Sequence, residues 1–400
     1  MYRLTNSIQH YAWGSPTAIP ALLGTEATGE PVAEAWFGAH ASAPSRCLRD
    51  DGSAGSALPE VIAADAAAVL GADVEARFGA QLPYLLKVIA ADSPLSLQVH
   101  PHVGRAREGF DEEEAAGVPL DAPHRSFRDR NHKPELVYAL TRFEALCGFR
   151  APRRAAELLD GLDAPLAKEL RAMLDAQPSA AGIEAVFERL LRPATRPSAD
   201  EVAEVAAACE ARLAAGSPSP RADRTVVRLR EAYPGDPGVV TSLLLNPVTL
   251  QPGDALFVPA GGVHAYLSGL GIEVMASSDN VLRAGLTPKH VDVDELLRNV
   301  DYVAAPPIRI APETFHGATR VYYAPVDDFE LSVTRAVDGA AHPLPGRGPR
   351  VLLCLEGRLV VSSENDGDLE LTQGGAAFVP ASDGPLRVRG DGVLVQADVP

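Results

Sequence analysis

LQPGDALFVPA, residues 250–260, returns as LTQGGAAFVPA at residues 371–381. The two stretches share the leading Leu, the central Gly, an Ala and the closing Phe-Val-Pro-Ala. The Gly-to-Pro spacing is kept, Gly253 to Pro259 and Gly374 to Pro380. Each reads as a turn glycine, a short apolar strand and a proline stop. A match of this length implies a duplicated supersecondary unit. Such units, in a chain with 34 Gly and 34 Pro, predict a mainly β protein of many short strands. Only the first copy runs on to a histidine. After Pro259 come Ala260, Gly261, Gly262, Val263 and His264, whereas the corresponding place in the second copy is Pro385. The second copy has no imidazole to offer and reads as a structural partner of the first.

Outward from this pair the texture changes twice. Residues 1–150 alternate short apolar runs with Gly, Pro, Asp and Asn, as in Leu82–Ala90 and Leu95–His100, and read as β-rich. Residues 151–245 are rich in Ala, Leu, Glu and Arg. Apolar positions there fall at helical spacing (Leu158, Leu159 and Leu162; Val202, Val205, Ala206 and Cys209), with breaks near Pro178, Pro193, Pro197 and Ser217–Pro220. That pattern predicts a helical insertion of roughly four to six helices. Residues 246–314 resume the β texture and complete the domain begun by 1–150, and 315–400 form a second β domain without a metal. Thr287 followed by Pro288 predicts a helix start, with Thr as the cap and Pro in its first turn.

A chain of 400 residues is too long for one ordinary core. Its net charge of −17 argues against nucleic acid and anionic membrane as partners, though a local cluster of cations can still receive a small anion. No apolar run approaches the ~18–20 residues of a membrane span. The opening MYRLTNSIQHYAWG lacks the apolar core of a signal peptide, and four scattered cysteines suit reduced thiols. A cytoplasmic location follows as the expectation, and a monomer is expected.

Three fragments carry candidate chemistry. In SLQVH, alternation along a strand puts Ser96, Gln98 and His100 on one face and Leu97 and Val99 on the other. The polar face meets either solvent or a polar cavity. In NHKPEL, Pro134 favours an extended Lys133, so Lys133 and Glu135 point to one side and His132 to the other. The third fragment ends in His264. Gln98, His100, Glu135 and His264 together offer two nitrogens and two oxygens, a set that suits zinc with a position left for water or substrate. Manganese, iron and cobalt are the other candidates.

The spacing from Gly253 to His264 resembles the second metal motif of the cupin superfamily, which implies jelly-roll β-barrels. Four segments go further: QHYAWGS (9–15), PYLLKVIAADSPLSLQVHP (83–101), NHKPELVYALTRFEALCGFR (131–150) and GVHAYLSGLGIEVMASSDNVLRAGLTPKH (262–290). In order and content they resemble the type I mannose-6-phosphate isomerases. The resemblance implies one zinc per chain on the same four ligands and reversible aldose–ketose isomerisation of a sugar phosphate through an enediol. It also implies that Arg283 takes part in catalysis. A guanidinium is too basic to accept a proton, so its role is stabilising and orienting the enediolate; a salt bridge to Asp279 is the structural alternative.

Candidates for the base are His132, Lys133, Glu273 and Asp279, since an ammonium beside a divalent cation is driven toward its neutral form. Lys289, expected in a helix's first turn, and Ser96 are the candidate phosphate contacts. Lys87, Tyr266 and Glu273 are candidate walls of the site. A cupin oxygenase would place a second His at position 98, where this chain has Gln. A non-catalytic sugar binder would have lost ligands that this chain keeps.

Overall fold

The computed structural model describes residues 1–49 and 51–400. YLLKVIAA, the strand Tyr84–Ala91, is buried at every position, as expected of a strand covered on both faces. It pairs antiparallel with Glu34–Gly38 on one side and with the long strand His264–Ala276 on the other. The next neighbours are Glu135–Ala139 and then Ala255–Val258. Tyr84, Leu86, Val88 and Ala90 turn outward into a core shared with a second sheet. Leu85, Lys87 and Ile89 turn the other way, toward the interior of the first sheet system.

The strand His264–Ala276 serves two layers. Its second half pairs with Tyr84–Ala91 and Glu135–Ala139, and its first half with Phe143–Phe149 and with Gln98. A register shift between Tyr266 and Ser268 marks the corner. Gly269 follows at φ +125°, where a Cβ would lie 2.8 Å from the Arg142 carbonyl oxygen, so only glycine allows this approach. Neither sheet's hydrogen-bonded path closes on itself. Where jelly-roll barrels were expected, the chain shows two large antiparallel sheets with a helical segment and no closed barrel.

That segment runs through Pro152–Leu159, Pro165–Ala176, Ala180–Leu191, Ala199–Ala214 and Pro220–Ala232, with a short turn of helix at Gly238–Thr241. Its apolar stripes form one core with Leu97, Val99, Val263, Ala265, Leu267, Leu282 and Ala284. These alternate in sequence with Gln98, His264, Tyr266 and Arg283. The helices thus cover the apolar face of the strands whose other face carries the polar residues, which settles that face as a cavity wall.

The second sheet holds the second copy of the repeat. Ala255–Val258 and Ala376–Val379 are matching strands, each following a turn glycine at φ +94° and +79°. Phe257 and Phe378 both belong to the core between the sheets. Each copy leads to a long strand, His264–Ala276 and Leu386–Asp398. The second sheet also recruits Tyr2–Leu4, which pairs with Ala376–Phe378, and then Arg46–Leu48 and Ala54–Ala57.

Two expected elements differ. The strand around Gln98 is only Leu97–Val99. The helix expected at Pro288 begins at Val293, because Asp292, whose side chain accepts the Glu295 N–H at 3.0 Å, caps it instead of Thr287. The Thr287 hydroxyl closes a local turn by accepting the Lys289 N–H at 3.1 Å.

Candidate metal centre

His100, Glu135 and His264 are buried and bring one ligand atom each to within 4.8 Å of one another. The Glu135 carboxylate sits between the imidazoles, Oε1 3.1 Å from His100 Nε2 and Oε2 3.5 Å from His264 Nε2. The far nitrogen of each ring is fixed by a carbonyl: His100 Nδ1 donates to Asn280 O at 2.8 Å and His264 Nδ1 to Gly262 O at 2.9 Å. That choice leaves both Nε2 lone pairs aimed inward, as a metal-binding imidazole requires. Burial pushes the His100 imidazole down to about 4, reinforced by the Lys133 ammonium, so the ring is neutral and ready to ligate. His100 Nε2 is nevertheless buried without a hydrogen-bond partner. An orphaned acceptor facing a second imidazole and a carboxylate fits a divalent metal.

Burial alone would raise Glu135. The Lys133 ammonium, 3.0 Å from Oε1, outweighs it and holds the carboxyl well below its usual range. Tyr266 donates to the other oxygen at 3.2 Å. Gln98 lies directly opposite His264 on one side and Arg283 on the other. Residues so paired share a face. The Gln98 amide N–H donates to Ser96 Oγ at 3.3 Å, which leaves the amide oxygen as the free acceptor.

Gly261 ties the two histidine segments together. Its N–H donates to the His100 carbonyl at 2.8 Å and its carbonyl accepts from Asp301 N–H at 2.9 Å. At φ +80° an added Cβ would stand 2.9 Å from His102 Nε2. Asn280, with no exposed surface, makes the corresponding tie on the other side. Its side chain accepts from Arg128 N–H at 2.7 Å and donates to the Asn131 carbonyl at 2.8 Å, while its own carbonyl holds His100.

Beside the ligands runs a row of buried charge. Lys87 lies opposite Trp36 on one neighbouring strand and Glu273 on the other. Its ammonium is 3.2 Å from Glu273, 3.9 Å from Glu34 and stacked 5.0 Å over the Trp36 ring. Burial disfavours the charged lysine, but Glu34, Glu273 and Glu135 together more than restore it. Burial and the nearby Glu135 raise Glu273 above the ordinary carboxylate range.

At the mouth the sign reverses. Arg283 is half-buried, and its charged form is disfavoured by burial and then by Arg128. Lys289, exposed, is lowered by partial desolvation and by both arginines. Among the described residues, none of these three cations has a carboxylate within 4 Å. Asp279, the alternative partner for Arg283, faces His40 at 3.6 Å instead. His132 is not brought to the cluster: its Nε2 meets the Asp328 carboxylate at 3.1 Å, on the opposite side from Lys133 as Pro134 implied.

Glu34, Trp36, Arg128 and Asn280 were not anticipated. Only the first two left a signal, a glutamate and a tryptophan two apart in an otherwise apolar strand.

A buried triad of two histidines and a glutamate with ligand atoms this close defines the class of metal-binding enzymes. Residues 1–152 match the family model for the catalytic domain of type I phosphomannose isomerase. Along 99% of its length the chain is 39% identical to the mannose-6-phosphate isomerase of Escherichia coli (strain K12), over 99% of that protein. It is 30% identical to the Homo sapiens enzyme of the same name, covering 96% of this chain and 94% of that one. A zinc-bound mannose 6-phosphate isomerase structure superposes with a TM-score of 0.89 at 38% identity, covering 100% of this chain and 99% of the other. The chain belongs to the type I mannose-6-phosphate isomerase family.

Proposed function

We propose that this protein interconverts mannose 6-phosphate and fructose 6-phosphate, using one zinc ion held by Gln98, His100, Glu135 and His264. The observation that carries the reading is the partnerless, buried His100 Nε2 facing His264 and Glu135. Zinc at such a site would supply Lewis-acid polarisation of the sugar oxygens.

The remaining work falls to the chain's own side chains. Arg128, Arg283 and Lys289 form a cationic mouth whose mutual repulsion is relieved by a dianionic phosphate, with Ser96 as a neutral contact. Arg283, next to Gln98 across the sheet, is aimed to stabilise the negative charge that develops when the C2 proton of the aldose leaves. A base takes that proton and returns it at C1, while the hydroxyl proton at C2 is lost and the C1 oxygen gains one. Lys133, 3.0 Å from Glu135, is the group we assign to this transfer, acting in its neutral amine form. Glu273 is the second reading, because its raised pKa brings a carboxylate closer to the working pH. Tyr266 and Lys87 hold Glu135 and Glu273 in place, and Asp279 orients His40 at the rim. His132 has no part in this scheme.

We read both halves as cupin-type. Residues 1–150 and 246–314 form the catalytic unit, 151–245 its helical insertion and 315–400 the metal-free copy, acting as a cytoplasmic monomer. The direct test is a coupled assay on mannose 6-phosphate before and after chelation, with zinc added back. Activity should vanish with the metal and return with zinc. Full activity in verified metal-free protein would overturn the reading.

A further inference from the structure

Away from the metal centre, the helix Pro220–Ala232 lies over the strands Phe143–Phe149, Leu245–Leu250 and His264–Ala276 and leaves a groove of about 560 Å³. The volume is within the range of small-molecule sites. Arg221, Arg224 and Arg228 line it from one face of the helix, spaced three and four apart, and Arg142 faces them from the strand side. Two carboxylates, Glu144 and Glu231, also line it. Glu144 already holds Arg142 at 2.6 Å and stands 4.0 Å from Arg228.

Arg221 binds only the Thr249 hydroxyl, at 2.7 Å, and Arg224 has no ion-pair partner among the described residues. The surplus extends inward. Burial disfavours the charged form of Arg221, and Arg142 and Arg309 add to this against Glu144. Arg150, behind it, is lowered by burial and by Arg221, and its Nε is buried with no partner. In a chain of net charge −17 this is a concentrated, under-compensated positive field. The floor is apolar, Pro247 and Leu267, with Val227 beside them on the helix. Leu267 points away from Tyr266 along the same strand, so the groove and the metal centre lie on opposite faces.

We propose that this groove is a second binding site, for a multiply charged phosphorylated small molecule whose anionic end meets the arginine row and whose remainder rests on the apolar floor. It is independent of the isomerase reading. Guanidinium groups suit phosphate because they donate in pairs.

The test is calorimetric titration of the zinc-loaded protein at low salt, run in parallel on the Lys289→Ala variant, in which anion binding at the metal centre is weakened while the groove is untouched. Inorganic pyrophosphate and ADP serve as probes. One of them, or both, should bind at one site per chain and weaken with added salt. Arg224→Glu and Arg221→Glu should each lower that affinity at least about tenfold, with circular dichroism and isomerase activity unchanged. Tighter binding of ADP than of pyrophosphate would mark the contribution of the floor. Absence of binding by both probes would overturn the proposal. So would affinity unaltered in the Arg221→Glu/Arg224→Glu double variant, or binding of an oligoglutamate peptide alone.

Discussion

A half-buried guanidinium normally finds a carboxylate, and among the described residues Arg283 has none within 4 Å. It sits beside Gln98 and shares its neighbourhood with Arg128 and Lys289. If Arg283 acts on the developing charge, Arg283→Ala should lower kcat about 10²–10³-fold. Metal analysis should still find zinc at full occupancy; loss of the metal would mark a structural role. Lys289→Ala and Arg128→Ala should instead raise KM about tenfold with kcat little changed, because they hold a group that does not react. Steady-state kinetics separate the two patterns. At this scale the sequence was readable wherever a local rule applied. Pro134 decides which way Lys133, Glu135 and His132 turn. Arg128 obeys no such rule, since its place depends on Asn280, far along the chain, receiving its N–H.

Elements carried the clearest message. The repeated Gly-x5-Pro unit became the same turn and the same strand twice, because a positive-φ glycine and a closing proline act locally. The start of the last helix was harder to read. Thr287-Pro288 and Asp292 are both legitimate starts, and the side-chain hydrogen bond of Asp292 wins. The Pro-x-Gly corner has a specific mechanical duty, to lock the His264 segment to the carbonyl of His100 through Gly261. Gly261→Ala should cost about 1–2 kcal/mol for its left-handed backbone, before any clash with His102. Thermal unfolding should register that loss, and zinc affinity should fall with it. Weaker zinc binding without lower stability would indicate a purely local effect.

For the molecule as a whole, the second sheet stores a term that stabilises in acid and is lost as pH rises. Glu330 and Asp398 are buried and directly opposite on paired strands. Burial raises both, and for Asp398 the neighbouring Glu330 adds to it, against a partial offset from Arg350. A carboxyl that binds its proton more tightly when folded contributes stability below the unfolded value, about 4, and loses it as pH rises toward the folded value. Glu330→Gln should therefore flatten the fall in Tm above about pH 4 and leave the protein more stable at neutral pH than the parent. A parallel Tm–pH curve for parent and variant would refute the coupling. That such groups face each other could not be read from the chain, because the register of distant strands is set by partners rather than by neighbours.

The same non-local pairing governs Tyr2–Leu4, which waits beside Ala376–Phe378. On a ribosome, this strand emerges with only the short strand Arg46–Leu48 to pair with, and its other neighbour, Ala376–Phe378, follows far later. The metal-binding half can collect its ligands well before then, so maturation has a natural order. The seam between Tyr2–Leu4 and Ala376–Phe378 is thus a contact of very large sequence separation, the kind that is slow to form and leaves strand edges open to aggregation until it does.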